Sequence, residues 1–166
     1  MGENLVRMAS ITFTVTHEFD APPRIVWAEL IDWEGHGAWV PATRVEVDGP
    51  DSQTVGGTFT GYTGYGPLTL VDRMRVSEIG WDDSAGKGEC VVEKLGPVLR
   101  GTAGFTVSER GEGSRVDWFE DVTVPYLPGF LAPIVSKVSA LGFSLAMKRL
   151  AKVIDRERAG SLPSVT

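Results

Sequence analysis

The sequence predicts an α+β fold: a seven-stranded antiparallel sheet wrapped around a long C-terminal helix, with two short helices after the first strand. Three observations predict it. Residues 11–19 alternate strictly, with Ile11, Phe13, Val15, His17 and Phe19 on one face and Thr12, Thr14, Thr16 and Glu18 on the other, the period of a half-buried strand. Residues 43–125 then break into short apolar stretches separated by turn sequences too brief for crossover helices, so their strands must be antiparallel neighbours. Finally, the apolar stretch from Pro133 to Arg158 would span about 37 Å as a helix, against roughly 29 Å for seven strands, so one helix can cross the whole sheet.

After the first strand, Ala21-Pro22-Pro23 sets the backbone for a first helical turn, and Ile25, Val26, Glu29 and Leu30 follow at helical spacing to about Asp32. Trp33 to Pro41, with two tryptophans and two glycines around His36, suits a second short helix. The turns Asp48 to Asp51, Gly64 to Pro67, Asp82 to Gly88, Gly96-Pro97 and Gly111 to Gly113 place the six meander strands near 43–48, 56–63, 68–80, 88–95, 98–109 and 114–124. On a helical wheel Ile134, Val138, Leu141 and Leu145 form one apolar stripe, and Phe143, Met147, Leu150 and Ile154 another. A helix apolar around so much of its girth is expected to be gripped on more than one side, with Leu141 and Leu145 buried. The domain is expected over 11–158, with a frayed leader at 1–10 and a disordered tail at 159–166.

Composition narrows the function. The 166 residues carry 22 acidic and 16 basic side chains, a formal charge of −6, the wrong sign overall for an electrostatic grip on nucleic acid or anionic lipid. A single cysteine, Cys90, makes no internal disulfide and reads as a small buried hydrophobe. No Cys/His spacing suggests a metal, and no motif a cofactor. The apolar run from Tyr126 to Met147 is interrupted by Pro128, Pro133 and Lys137, which argues for a core helix and against a membrane span. A cytoplasmic chain is expected, and nothing in the sequence sets an oligomeric state.

The element order resembles the helix-grip architecture of the START-related superfamily, also written SRPBCC, which includes the polyketide cyclase/dehydrase family. The wording Asp20-Ala21-Pro22-Pro23-Arg24-Ile25-Val26-Trp27 is similar to the start of that family's first helix, Trp33 to Pro41 to its second, and Gly113-Ser114-Arg115-Val116-Asp117-Trp118 to its last hairpin. The resemblance implies a cavity between sheet and long helix that holds a hydrophobic or aromatic small molecule. Some relatives catalyse cyclisation or dehydration in it and many only bind and carry; no catalytic signature transfers to these positions.

Strand parity supplies a separate clue. On otherwise apolar faces the exceptions are His17, Asp72 (with Leu68, Leu70, Met74 and Val76) and Glu120 (with Val116, Trp118 and Val122). An ionisable group there either has a buried partner or lines a wet cavity. If the first strand lies beside the last, as the resemblance implies, His17 and Glu120 can meet, with Asp72 facing them from some 14 Å along the sheet. These three are the candidate acid and base groups. The alternatives are a packed core histidine at position 17, a bulge that turns Asp72 or Glu120 outward, and an acidic solvated edge formed by Asp117, Glu120 and Asp121. His36, between Gly35 and Gly37, is expected to be exposed. Tyr62, Met74, Trp118, Leu141 and Leu145 are the candidate ligand contacts, with Tyr65 and Trp81 as further stacking surfaces. The glycine-rich run from Val55 to Pro67 lacks the lysine and helix of a phosphate loop and reads as thinned strand and turn. Three functions compete: a carrier of a lipid, isoprenoid or polyketide type of molecule, a cyclase or dehydratase, and an interaction module without a ligand.

Overall fold

A computed structural model describes residues 8–161. Strand β1 (Ala9–Phe19) is followed by helix α1 (Pro23–Ile31) and a 3-10 turn at Glu34–Ala38. Then come β2 (Thr43–Val47), β3 (Thr58–Thr63), β4 (Leu70–Asp82), β5 (Lys87–Leu95), β6 (Arg100–Arg110) and β7 (Gly113–Val124). Helix α2 (Ala132–Gly160) closes the fold. The strands form one antiparallel sheet in the order β1-β7-β6-β5-β4-β3-β2. This is the α+β class and the meander that the sequence predicts.

The strand ends differ from expectation by a few residues. β1 begins at Ala9, which is buried and pairs with Val124, so the leader expected at 1–10 does not extend through the strand's first residues; residues 1–7 lie outside the described range. At the other end α2 runs to Gly160, and residues 162–166 of the expected tail are likewise outside it. β4 carries a bulge between Val76 and Glu78. It lies beyond Asp72, so that side chain keeps its inward parity, while after the bulge the partly buried positions shift to Ile79 and Trp81.

Helix α1 lays Val26, Trp27 and Leu30 on the sheet. Trp27 packs 5.7 Å from Phe105 and 5.8 Å from Trp81, ring centre to ring centre. Gly88 makes room for it, since a Cβ there would stand 2.4 Å from the Trp27 ring. The Ser114 hydroxyl donates to the Ala21 carbonyl at 2.9 Å inside the core and ties the start of α1 to β7.

α2 corrects one expectation. Its buried residues are Ala146, Met147, Leu150 and Ile154, all in its second half, and it crosses the inward face on the β1 side. Leu141 and Leu145 are 71% and 47% exposed, beside exposed Ile134 and Val138. Both stripes are apolar, and a wheel does not say which one meets the sheet. The Phe143, Met147, Leu150, Ile154 stripe does; the sheet grips one side of the helix and leaves the other to solvent.

Candidate functional site

Between the concave face of the sheet, the first half of α2 and the 3-10 turn lies a cavity of about 550 Å³. Its walls are apolar for most of their extent. Phe13, Phe105, Trp118 and Phe143 form an aromatic bank: Trp118 stacks on Phe105 at 5.5 Å and meets Phe143 at 5.0 Å, and Phe143 lies 5.5 Å from Phe13. Val135, Ser139 and Gly142 form the α2 wall. From the register, β1 begins, β3, β5 and β7 end and β4 and β6 begin at one edge of the sheet. Exposed Thr63 and Val98 line the cavity at that edge, so this is where it meets solvent.

Into this apolar space the sheet projects three charged side chains. Lys94 on β5 donates to the Asp72 carboxylate on β4, and its Nζ also stands 3.7 Å from Glu120 Oε2 on β7. All three are withdrawn from water, with side chains 5%, 14% and 8% exposed. Burial pulls against the charged form of Lys94, but the carboxylates of Glu120 and Asp72 outweigh it and hold the ammonium above its ordinary range. Burial pushes the Glu120 carboxyl up, and Lys94 only partly opposes that. The buried Asp72 Oδ1 acceptor makes no hydrogen bond among the described residues, while the Trp118 side chain interacts with the Glu120 carboxylate and partly counters the effect of its burial. The cavity therefore holds one cation, two carboxylates and an unused acceptor, all beside an aromatic bank.

Asp72, Met74, Trp118 and Glu120 line this space. The other sequence candidates lie elsewhere. His17 pairs with Val116 in the register whereas Glu120 pairs with Phe13, so the two are four residues apart along the strands and do not meet. The half-buried His17 ring packs edge-on to Phe19 at 4.8 Å, and burial together with the nearby Lys148 lowers its pKa. Tyr62 is on the outer side of β3, where the Arg44 guanidinium sits 4.3 Å over its ring. Tyr65 is exposed, Trp81 packs on α1, and Leu141 and Leu145 face solvent.

Two cavity residues escaped the sequence reading. Lys94 is one, although strand parity places it with Gly88, Cys90 and Val92 on the inward face of β5, the same signal that marked Asp72. His36 is the other, buried against expectation. The two glycines that flank it let the turn close on the core, and a Cβ on Gly37 would stand 3.0 Å from the Thr43 carbonyl. Its ring lies 4.6 Å from Trp39 and 5.6 Å from Trp33, and Nε2 donates to the Leu30 carbonyl at 2.8 Å. Burial drops its pKa to about 4, so the imidazole is neutral at pH 7. Cys90 is buried in the cavity wall with its thiol pushed up to about 12, an inert hydrophobe. Among the described residues no group of three or more His, Cys, Asp or Glu side chains is set to hold a metal ion.

A sheet that grips a C-terminal helix over an apolar cavity defines the helix-grip class of α+β domain. The chain belongs to the polyketide cyclase/dehydrase and lipid transport family, whose model matches residues 10–155. No curated protein matches it. Among solved structures it is similar to TTHA0849 from Thermus thermophilus, with 17% identity over 91% of this chain and 99% of that one and a TM-score of 0.67. It is similar too to SA2116, a protein of unknown function from Staphylococcus aureus, with 11% identity over 93% and 99% of the two chains and a TM-score of 0.70. Ms6760 from Mycobacterium smegmatis shares 20% identity over 89% and 92%, with a TM-score of 0.60. At these identities the likeness is one of fold.

Proposed function

We propose that the chain binds a hydrophobic or aromatic small molecule of lipid, isoprenoid or polyketide type, whose polar group is received by Lys94, Asp72 and Glu120. The cavity volume falls within the range of ligand sites, and mostly apolar walls with a few convergent polar groups are the usual composition of such sites. One observation carries the reading: Asp72 Oδ1 is buried without a partner, and leaving such a group unpaired is costly. A ligand with a hydroxyl offers it a donor. The aromatic bank takes the rest of the molecule by stacking.

Native mass spectrometry of the protein purified from its own host tests this, paired with displacement of the fluorescent apolar probe 1-anilinonaphthalene-8-sulfonate by the extracted molecule. Trp118→Ala and the cavity-filling Ser139→Phe are expected to weaken retention at least tenfold. Retention unchanged in both variants would place the ligand outside this cavity.

A second reading, cyclisation or dehydration by acid/base catalysis, has its own support. Lys94 brings Asp72 and Glu120 to one ammonium, and burial raises the Glu120 carboxyl above its ordinary range, which favours the protonated form that a general acid needs. In that case Glu120→Gln would lower turnover of the extracted molecule by about 10²–10⁴-fold while leaving its affinity nearly unchanged.

A further inference from the structure

We infer that the open end of the cavity and the outward face of α2 dock on an anionic lipid bilayer. This does not rest on the identity of the ligand. At 100° per residue, Ile134, Val138, Leu141 and Leu145 fall in one row on the outside of α2, and they are 59%, 63%, 71% and 47% exposed. Phe130 and Tyr126, 78% and 84% exposed, extend the row toward the cavity's open end. There the β3–β4 and β5–β6 connections add Leu68, Tyr65 and Val98. An apolar surface this continuous is uncommon on a domain that meets only water.

The same helical face says what covers it. Continuing along the row, the exposed residues become Lys148, Arg149 and Lys152, with exposed Lys137 beside the apolar part. From Pro125 to Ile154 the chain has these four basic side chains and no acidic one, within a protein of formal charge −6. The whole-chain charge therefore conceals a local cationic stretch. An apolar row flanked by Lys and Arg is the pattern of a helix lying in a bilayer interface, with hydrophobes among the acyl chains and cations at the lipid phosphates. By length and composition α2 could also cross a bilayer, but Met147, Leu150 and Ile154 anchor its second half in the core, so it lies on the surface instead. Docking in this way puts the cavity's open end against the acyl region.

Co-sedimentation of the full chain with vesicles tests this, using phosphatidylcholine alone and phosphatidylcholine with a third of phosphatidylglycerol. The expected result is binding to the anionic vesicles, at least fivefold weaker on phosphatidylcholine alone and weakened by salt. Leu141→Glu, and separately the triple charge reversal Lys148→Glu, Arg149→Glu, Lys152→Glu, are expected to reduce it at least fivefold. All four sites are exposed, and circular dichroism checks that the fold survives. Absence of binding to either vesicle, binding indifferent to both variants, or a vesicle-free dimer that Leu141→Glu dissociates would overturn the inference.

Discussion

Lys94 Nζ stands 3.7 Å from Glu120 Oε2 although a whole strand, β6, separates the strands that carry them. The reach is possible because β6 presents only Gly101 and Ala103 there: Gly101 pairs with Lys94, and Ala103 pairs with Glu120. Small residues on the middle strand leave the space that the lysine stem crosses.

Lys94→Met is expected to destabilise the protein by about 3–5 kcal/mol, because it leaves two carboxylates in an apolar wall without their cation. Glu120→Gln is expected to change stability at pH 7 by less than about 1 kcal/mol. Burial raises the Glu120 pKa in the fold, so its ionisation costs stability above its unfolded value and the cost is relieved as pH falls; glutamine removes that cost while Lys94 keeps Asp72. Urea unfolding of both variants at pH 7 checks the contrast, and equal losses would contradict it.

The orientation of α2 is checked by a pair of leucines. Leu150, fully buried, is expected to lose about 2–5 kcal/mol on replacement by alanine. Leu145→Ala, at a position 47% exposed, is expected to cost under about 1 kcal/mol. Denaturant midpoints at constant m-value report both.

His36 gives the fold an acid-sensitive element. Its folded pKa of about 4 lies below the ordinary value of 6.5, so the unfolded chain takes up the proton first. The stability held by the neutral ring is complete above pH 6.5 and is lost as pH falls toward 4, by a few kcal/mol at most. His17, also shifted down, acts in the same direction, so the measurement is a difference. Thermal melts of the wild type and His36→Gln between pH 7 and 4 should show a shallower acid slope in the variant, and parallel slopes would contradict the assignment.

Gly101 has φ +134°, and a Cβ there would lie 2.2 Å from the Asp121 carbonyl oxygen. Gly101→Ala is therefore expected to cost more than about 1 kcal/mol through backbone strain and displacement of β7. A melting temperature unchanged by the substitution would show that β6 and β7 can part there without loss.

The strands were legible because each alternates and each ends in turn residues; even the inward parity of Asp72 and Glu120 follows from counting by twos. The partner of both did not emerge, although Lys94 obeys the same count, because a lysine near the end of a short strand reads as a solvated cap when its neighbours across the sheet are unknown. His17 failed for a different reason. Parity assigns a face but not a height along the strand, and the β1–β7 register puts His17 opposite Val116, well below Glu120. The two stripes of α2 are nearly equal in hydrophobicity, so its rotation is set by the sheet it meets and not by its own residues.

The sheet order has a kinetic side. Among the described residues β1 is the first strand made, and its only strand partner is β7, the last, with Ala9 paired to Val124. At a synthesis rate of about 5–20 residues per second, the chain between them takes on the order of 5–20 s to appear. Throughout that interval the hairpins from β2 to β6 can close through local contacts, whereas β1 has no edge to join until β7 exists. Strand β1 is therefore the last to be enclosed, and the cavity wall carried by Ile11 and Phe13 is completed only when the first and last strands pair.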